Sequence, residues 1–468
     1  MTERISKSVL IGATAALMLP VLAYLAYSRP WYFTSTTNIA GLIFLELLIV
    51  AVWHYRRVFF PVVLVSFLLA GVNLPVGRGW AAARWVVLSV GALAGLVTAL
   101  KDRLHFGFFH VVAFFAVLAS LISAAVSRYP DVALLKVLSI LLLFVYAGTG
   151  ARLAANWLES RFFNGLLTGC EIFVGVNALF YAIGIEAMGN PNSLGAAMGV
   201  VGAPILLWGV LLGGEKFVQR RRLALYAVCM YLTFSSHSRA GIAAALLSSG
   251  LLCLALRRYK LLVEGLVVLV IVVAAVSLFR PDAFPTLASS VVYKDREEGV
   301  LNSRISPWRS AMDSISDHPW FGTGLGTTAS GGDASEEQGK FASSGTVTAE
   351  HGSSYLAILA GVGVVGALPF TVLLLLISGK VLRTIIWMRR YGSASHAAIP
   401  LATIMVAGML HAAFEDWMFA PGNYVCVFFW SLAFVLIDVA PSSQLSRFAL
   451  TWHPRQAQQP IGGVAPSR

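Results

Sequence analysis

Two arginines, a Glu-His pair and a second His/Glu pair are the residues in this chain whose types and spacing suit chemistry. Arg239 stands in FSSHSRAG, where two apolar runs meet, and Arg304 stands in LNSRISPW. A guanidinium is planar, permanently charged and carries a fork of donors, so two of them suit the oxygens of a phosphate or diphosphate. An arginine at such a junction also serves as a snorkelling anchor to lipid phosphate, and a loop arginine as a solvated one. Arg309, five residues past Arg304, is a third candidate contact. Glu350 and His351 sit just ahead of a long apolar run. A histidine there can take a proton from a hydroxyl near neutral pH while a neighbouring carboxylate orients it, and the same pair also reads as the polar cap of a helix start. HAAFEDW sets His411 and Glu415 four residues apart, on one face of a helix end. That spacing serves a metal or a hydrogen bond. With no third ligand in the sequence, structural pairing is the reading, and no metal site is expected. Lys136 falls inside an apolar run, towards the same side as these groups. There is no Walker-type loop, nucleophile elbow or dinucleotide fingerprint, and GTGLG at residues 322–326 has no strand before it. No cofactor is expected.

The elements that must position these residues follow from composition. Of 468 residues, 58% are hydrophobic and 12% charged, against about 25% charged in soluble proteins. The solvent for most of the chain is therefore lipid, which excludes soluble enzymes, collagenous repeats, disordered chains and disulfide scaffolds. In that setting the net charge of +12 reflects basic cytoplasmic loops, and no nucleic-acid binding is read from it. The four cysteines lie in apolar runs without C-x-x-C spacing and are expected to be small core residues. Runs of roughly 20 apolar residues can be laid out as spans near 9–27, 38–53, 58–74, 81–100, 104–126, 132–149, 162–185, 194–213, 223–236, 240–256, 261–279, 353–379, 398–413 and 423–439. The first, behind MTERISK, reads as an uncleaved signal anchor.

Lys and Arg concentrate on alternate connections of this layout, which places both termini in the cytoplasm and the long loop of 280–352 outside it. That loop holds nearly half of the 22 acidic residues. The expected fold is an all-α polytopic bundle of about 12–14 helices. Residues 1–279 carry spans 1 to 11, 280–352 form the outer loop with donor-binding and catalytic segments, 353–440 carry the last three spans, and 441–468 form a disordered cytoplasmic tail. Within the loop, Ser306 as N-cap and Pro307 at the first helical position predict a helix ending near Asp317. The Gly- and Ser-rich run that follows reads as mobile.

SRAG at 238–241, NSRISPW and DHPWFGTGLG within 302–326, EHGSSYLAILAGVGVVG from 350 and GNPNSLGAA around Asn190 together resemble the O-antigen ligase and polymerase superfamily. The resemblance implies a GT-C type inner-membrane glycosyltransferase with its active site on the periplasmic face. Such an enzyme takes a glycan from undecaprenyl pyrophosphate and transfers it, with inversion and without metal or nucleotide, to an acceptor hydroxyl. The acceptor is lipid A core in ligases and another lipid-linked repeat in polymerases, where a chain-length regulator is a candidate partner. Carried over, Arg239 and Arg304 hold the pyrophosphate and His351 activates the acceptor. Gly352 stands where the family pattern has Asn, so Glu350 is an alternative base, and His411 and Glu415 are groups that can close over the site. HAAFEDWMFAPGN resembles a segment of exopolysaccharide-type members. Two other functions remain to be separated: a transporter or flippase of lipid-linked sugars, and a protein O-oligosaccharyltransferase.

Overall fold

A computed structural model of the chain describes residues 59–72, 77–102, 104–185, 187–188, 190–279, 302–327 and 351–441, with isolated positions at 20, 23, 24, 27, 28 and 30. Apart from those positions, the expected spans at 9–27 and 38–53 lie outside the described residues. So do Glu350, the Gly- and Ser-rich stretch of 328–350, and the tail after 441. Among the described residues the chain is helical, without strands. The helices are α1 Phe59–Gly71, α2 Gly77–Lys101, α3 Phe108–Val126, α4 Pro130–Leu158, α5 Ser160–Ala182, α6 Pro191–Leu211, α7 Lys216–Ser235, α8 Arg239–Ala255, α9 Tyr259–Phe279, α10 Asn302–Asp317, α11 Ser354–Tyr391, α12 Ala398–Ala412 and α13 Tyr424–Val439. Every span expected from residue 58 onward coincides with one of them. Six are long and apolar enough to cross a membrane, among them α3, α4, α6 and α11, while α8, α12 and α13 are apolar but shorter. The protein is an all-α polytopic membrane protein.

Lipid offers the backbone no hydrogen bonds, so each span must satisfy its own. Several hydroxyls inside the spans are satisfied within their own helix, returning their proton four residues back: Ser120 to Ala116, Thr371 to Ala367 and Thr403 to Ile399. At the helix starts, Asn190, Ser238 and Asn423 cap α6, α8 and α13 by accepting from the N–H of Asn192, Gly241 and Val425. Without a hydrophobic force between helices in lipid, close packing of small residues holds them together. α6 and α8 approach backbone to backbone: a Cβ on Gly199 would sit 2.3 Å from the Gly241 carbonyl oxygen, and one on Gly241 would sit 2.6 Å from that of Gly195. The four cysteines are buried and free, as their apolar surroundings predict.

α11 is broken in mid-course at Gly363, whose φ of +67° and ψ of −178° are not helical. A break exposes backbone groups, each costing several kcal/mol if left bare in lipid. Residues 319–327 cover it as a strap. The N–H groups of Thr323 and Gly324 donate to the carbonyls of Ala360 (3.0 Å) and Gly361 (2.8 Å), and those of Val364 and Val365 donate to Pro319 (2.8 Å) and Trp320 (3.2 Å). From α3 and its end, Ser123 donates to the Gly361 carbonyl and Ser127 to that of Thr323. A Cβ on Gly322 would lie 2.4 Å from the Gly361 oxygen, so only glycine fits there. The GTGLG segment therefore has a structural task within the expected loop.

α10 begins at Asn302, a turn earlier than its sequence predicts, with Pro307 inside it. Proline at that depth removes one intrahelical bond, the one to residue 303. The helix is nonetheless kept against α11 by the Trp308 indole, which donates to the Gly352 carbonyl at 3.2 Å. Arg304 is thereby placed on the first turn of a helix and not in the loop before it.

Candidate functional site

The starts of α10 and α11 meet the connection between α12 and α13, and the start of α8 lies within electrostatic reach of them. Ser354, fully buried at the head of α11, ties that connection down with everything a serine has. Its N–H and hydroxyl both donate to the Glu415 carbonyl, at 3.2 and 2.7 Å, and its oxygen accepts from the N–H of Trp417 and Met418, at 3.1 and 3.0 Å. The far side of the connection is wedged into an aromatic core. Phe419 packs edge-on against Phe370 of α11 and tilted against Trp430 of α13, with ring centroids at 5.1 and 5.9 Å, and the Trp430 indole donates to the Met418 carbonyl. Glu415 and Asp416 thus project from a backbone fixed on both sides.

Their carboxylates take different partners. Glu415 pairs with Arg304 through Oε1 and Nη2, and Asp416 Oδ2 lies 3.1 Å from His351 Nδ1. A carboxylate beside Nδ1 fixes the proton there and leaves Nε2 as the ring's acceptor. Arg304 is close enough for its charge to act on Arg239 and on His411, and the charge of Asp416 acts on Lys136. The Lys136 ammonium donates to the Gly326 carbonyl, with its stem where a Cβ of Gly326 would be, so it also clamps the end of the strap. Arg239 is half-buried at the first position of α8.

Of the residues singled out from the sequence, the structure therefore gathers Arg239, Arg304, His351, Glu415 and Lys136. Arg309 is exposed on α10, on another face from Arg304. Glu350 lies outside the described residues. The shared face expected for His411 and Glu415 is corrected, because α12 ends at Ala412 and the chain turns before Glu415. Glu415 reaches Arg304, while His411 is buried below, accepting at Nδ1 from the Trp417 indole at 2.8 Å. Sequence reasoning passed over Asp416 and Ser354. Asp416 had a visible signal, being the second carboxylate of HAAFEDW. Gly352, the departure from the family pattern, has a φ of +62°, a region that glycine and asparagine both favour.

This arrangement sets two guanidinium charges within electrostatic reach of each other, near a histidine whose Nδ1 faces a carboxylate. Residues 222–371 of the chain match the family model described as O-antigen ligase. The match takes in Arg239, Arg304 and His351, and ends before Glu415 and Asp416. No curated protein matches the chain. The match and the apolar helices together support an integral membrane protein with an O-antigen ligase-type, glycosyltransferase-like activity.

Proposed function

We propose that the protein transfers a glycan from undecaprenyl pyrophosphate to an acceptor hydroxyl at the periplasmic face of the bacterial inner membrane, with both termini in the cytoplasm. The acceptor is lipid A core or the end of another lipid-linked glycan. The observation that carries this reading is a His351–Asp416 pair beside the Arg304–Glu415 pair, with Arg239 within electrostatic reach of Arg304. His351 Nε2 takes the acceptor proton as the acceptor oxygen bonds to the anomeric carbon. The bond from that carbon to the diphosphate oxygen breaks with inversion, and the lipid diphosphate leaves carrying the negative charge. Arg239 and Arg304 face that charge where it develops, which is the place fixed cations accelerate a reaction most. Asp416 holds the histidine ring in orientation, and Lys136 adds positive charge within reach of Asp416. No metal enters the scheme.

The test uses purified protein with an undecaprenyl-pyrophosphate-linked glycan and each acceptor in turn. A new glycosidic bond with release of undecaprenyl pyrophosphate is expected, and the productive acceptor distinguishes ligase from polymerase. Movement of the lipid without turnover would make the protein a transporter. Full transfer by both Arg239→Ala and Arg304→Ala would refute the assignment of the site.

A further inference from the structure

Arg84 stands in the first turn of the apolar stretch Ala83–Lys101 of α2, and its setting differs from that of other arginines packed among the spans. Arg152 takes Asp438 and Arg222 takes Glu171, whereas Arg84 takes no carboxylate among the described residues. Its Nη1 donates to the Gly422 carbonyl at 2.7 Å, its guanidinium carbon lies 5.8 and 5.3 Å from the ring centres of Phe67 and Trp85, and its Nε is buried without an acceptor. A carbonyl dipole and two aromatic rings offset part of a guanidinium's charge, and the rest calls for a counter-ion. The side chain is half-buried, so an anion can reach it from outside the protein.

Its place in the bundle says which anion. Arg84 precedes Lys101, at the far end of the same helix, by 17 residues, or about 25 Å of rise, against a hydrocarbon layer of about 30 Å. The guanidinium therefore stands at one edge of the apolar layer, the depth at which lipid phosphates lie. That edge is the one holding the candidate site, because Gly422 belongs to the same 413–423 connection as Glu415 and Asp416. A snorkelling arginine swings freely towards passing headgroups. Arg84 is instead held by Gly422, on a segment itself fixed where Asn423 caps α13 and the Tyr424 hydroxyl donates to the Ser193 carbonyl at 2.8 Å. A guanidinium set in advance and matched to phosphate oxygens gains affinity from both properties. We propose that Arg84 is a binding site for a lipid phosphate, and that it anchors the lipid carrying the acceptor beside the connection that bears Asp416. The acceptor role rests on the transfer reaction proposed above; the binding of a lipid phosphate does not.

Native mass spectrometry of the full-length protein in detergent tests this with dioleoyl phosphatidic acid and with dioleoylglycerol, which has the same chains and no phosphate. Arg84→Gln keeps a donor for Gly422 and removes the charge. Retained phosphatidic acid is expected to fall by about 5-fold, the weight of one basic side chain at a lipid surface, with dioleoylglycerol unchanged. Arg84→Lys should retain most of the phosphatidic acid, and it serves if the glutamine variant fails to fold. Unchanged retention in Arg84→Gln, or an equal loss of both lipids, overturns the site and makes Arg84 a strut between α2 and the connection. Excess inorganic phosphate should leave phosphatidic acid bound; its displacement would assign the site to free phosphate and overturn the lipid assignment. In the transfer assay, Arg84→Gln should raise KM for the lipid-linked acceptor by a similar factor and leave KM for the donor unchanged. If the parent protein forms no glycosidic bond, the transfer reaction falls and the lipid-phosphate site is judged by retention alone. If it transfers and the acceptor KM of Arg84→Gln is that of the parent, the acceptor role alone falls.

Discussion

Arg152, in the last turns of α4, directs every N–H of its guanidinium at protein. Nε and Nη2 fork onto Asp438 at 2.5 and 2.8 Å, Nη1 meets His110 Nε2 at 2.8 Å and the Gly148 carbonyl at 3.1 Å, and Nη2 also meets the His105 carbonyl at 2.9 Å. Its side chain is 4% exposed. Arg304, also paired with a carboxylate, is 17% exposed and makes one ion pair among the described residues, with Glu415. A guanidinium has five N–H groups, and it recognises a ligand only with those the protein leaves over. The first arginine has been consumed in joining α4 to α13; the second keeps donors in reserve. Arg152 lies sixteen residues beyond Lys136 on α4, so the two polar regions are about 24 Å apart along the helix. Glu171, 8% exposed and shared by Arg221 and Arg222 at 2.6 and 3.0 Å, belongs with the saturated kind. The contrast teaches that partner count and exposure, more than charge, separate the structural cation Arg152 from Arg304, the one proposed to meet the donor.

Four substitutions probe that contrast. His351→Ala is expected to lower the transfer rate by about 10²–10⁴, the contribution of a general base, with the melting temperature in detergent unchanged. A loss of stability without loss of rate per folded molecule would move His351 to the structural side. Arg152→Ala takes the buried donor from the His110 ring and the Gly148 carbonyl and leaves the solvent-reached Asp438 unpaired, and is expected to remove about 2–4 kcal/mol of stability, read from chemical or thermal unfolding of the solubilised protein. Wild-type stability would erase the distinction drawn here. Arg304→Ala should lower transfer by about 10²–10³ while the protein still reaches the membrane and melts normally. The smallest effect is expected for Ser354→Ala, about 1–3 kcal/mol, because two backbone N–H groups lose their acceptor. Hydrogen exchange localised to residues 415–418 would show it, and unaltered protection there would mean that the aromatic wedge alone holds the connection.

Much of the fold and of the candidate site is legible in the amino-acid sequence. The apolar runs mark the helices from residue 58 onward because a span in lipid must be continuous and self-satisfied, and the two arginines stand out because charge is expensive beside such runs. The sequence misleads where the outcome depends on contacts between distant segments. Pro307 signals a helix start by local rules, yet the helix already includes Asn302. The spacing of His411 and Glu415 promises a shared face only while the helix lasts, and it ends three residues short of Glu415. Asp416 is visible as a letter but not as a partner of His351, 65 residues away in sequence. The match of the family model to 222–371 likewise covers the arginines and the histidine while leaving both carboxylates outside.

The interruption of α11 at Gly363 makes that helix and the 319–327 segment a single heritable unit. Each presents the polar edge that the other requires, and neither can face hydrocarbon alone. A chimera that swaps one of them between related sequences should assemble poorly, and one that swaps both should assemble well. The mutational freedom of this part of the molecule is therefore that of a matched pair.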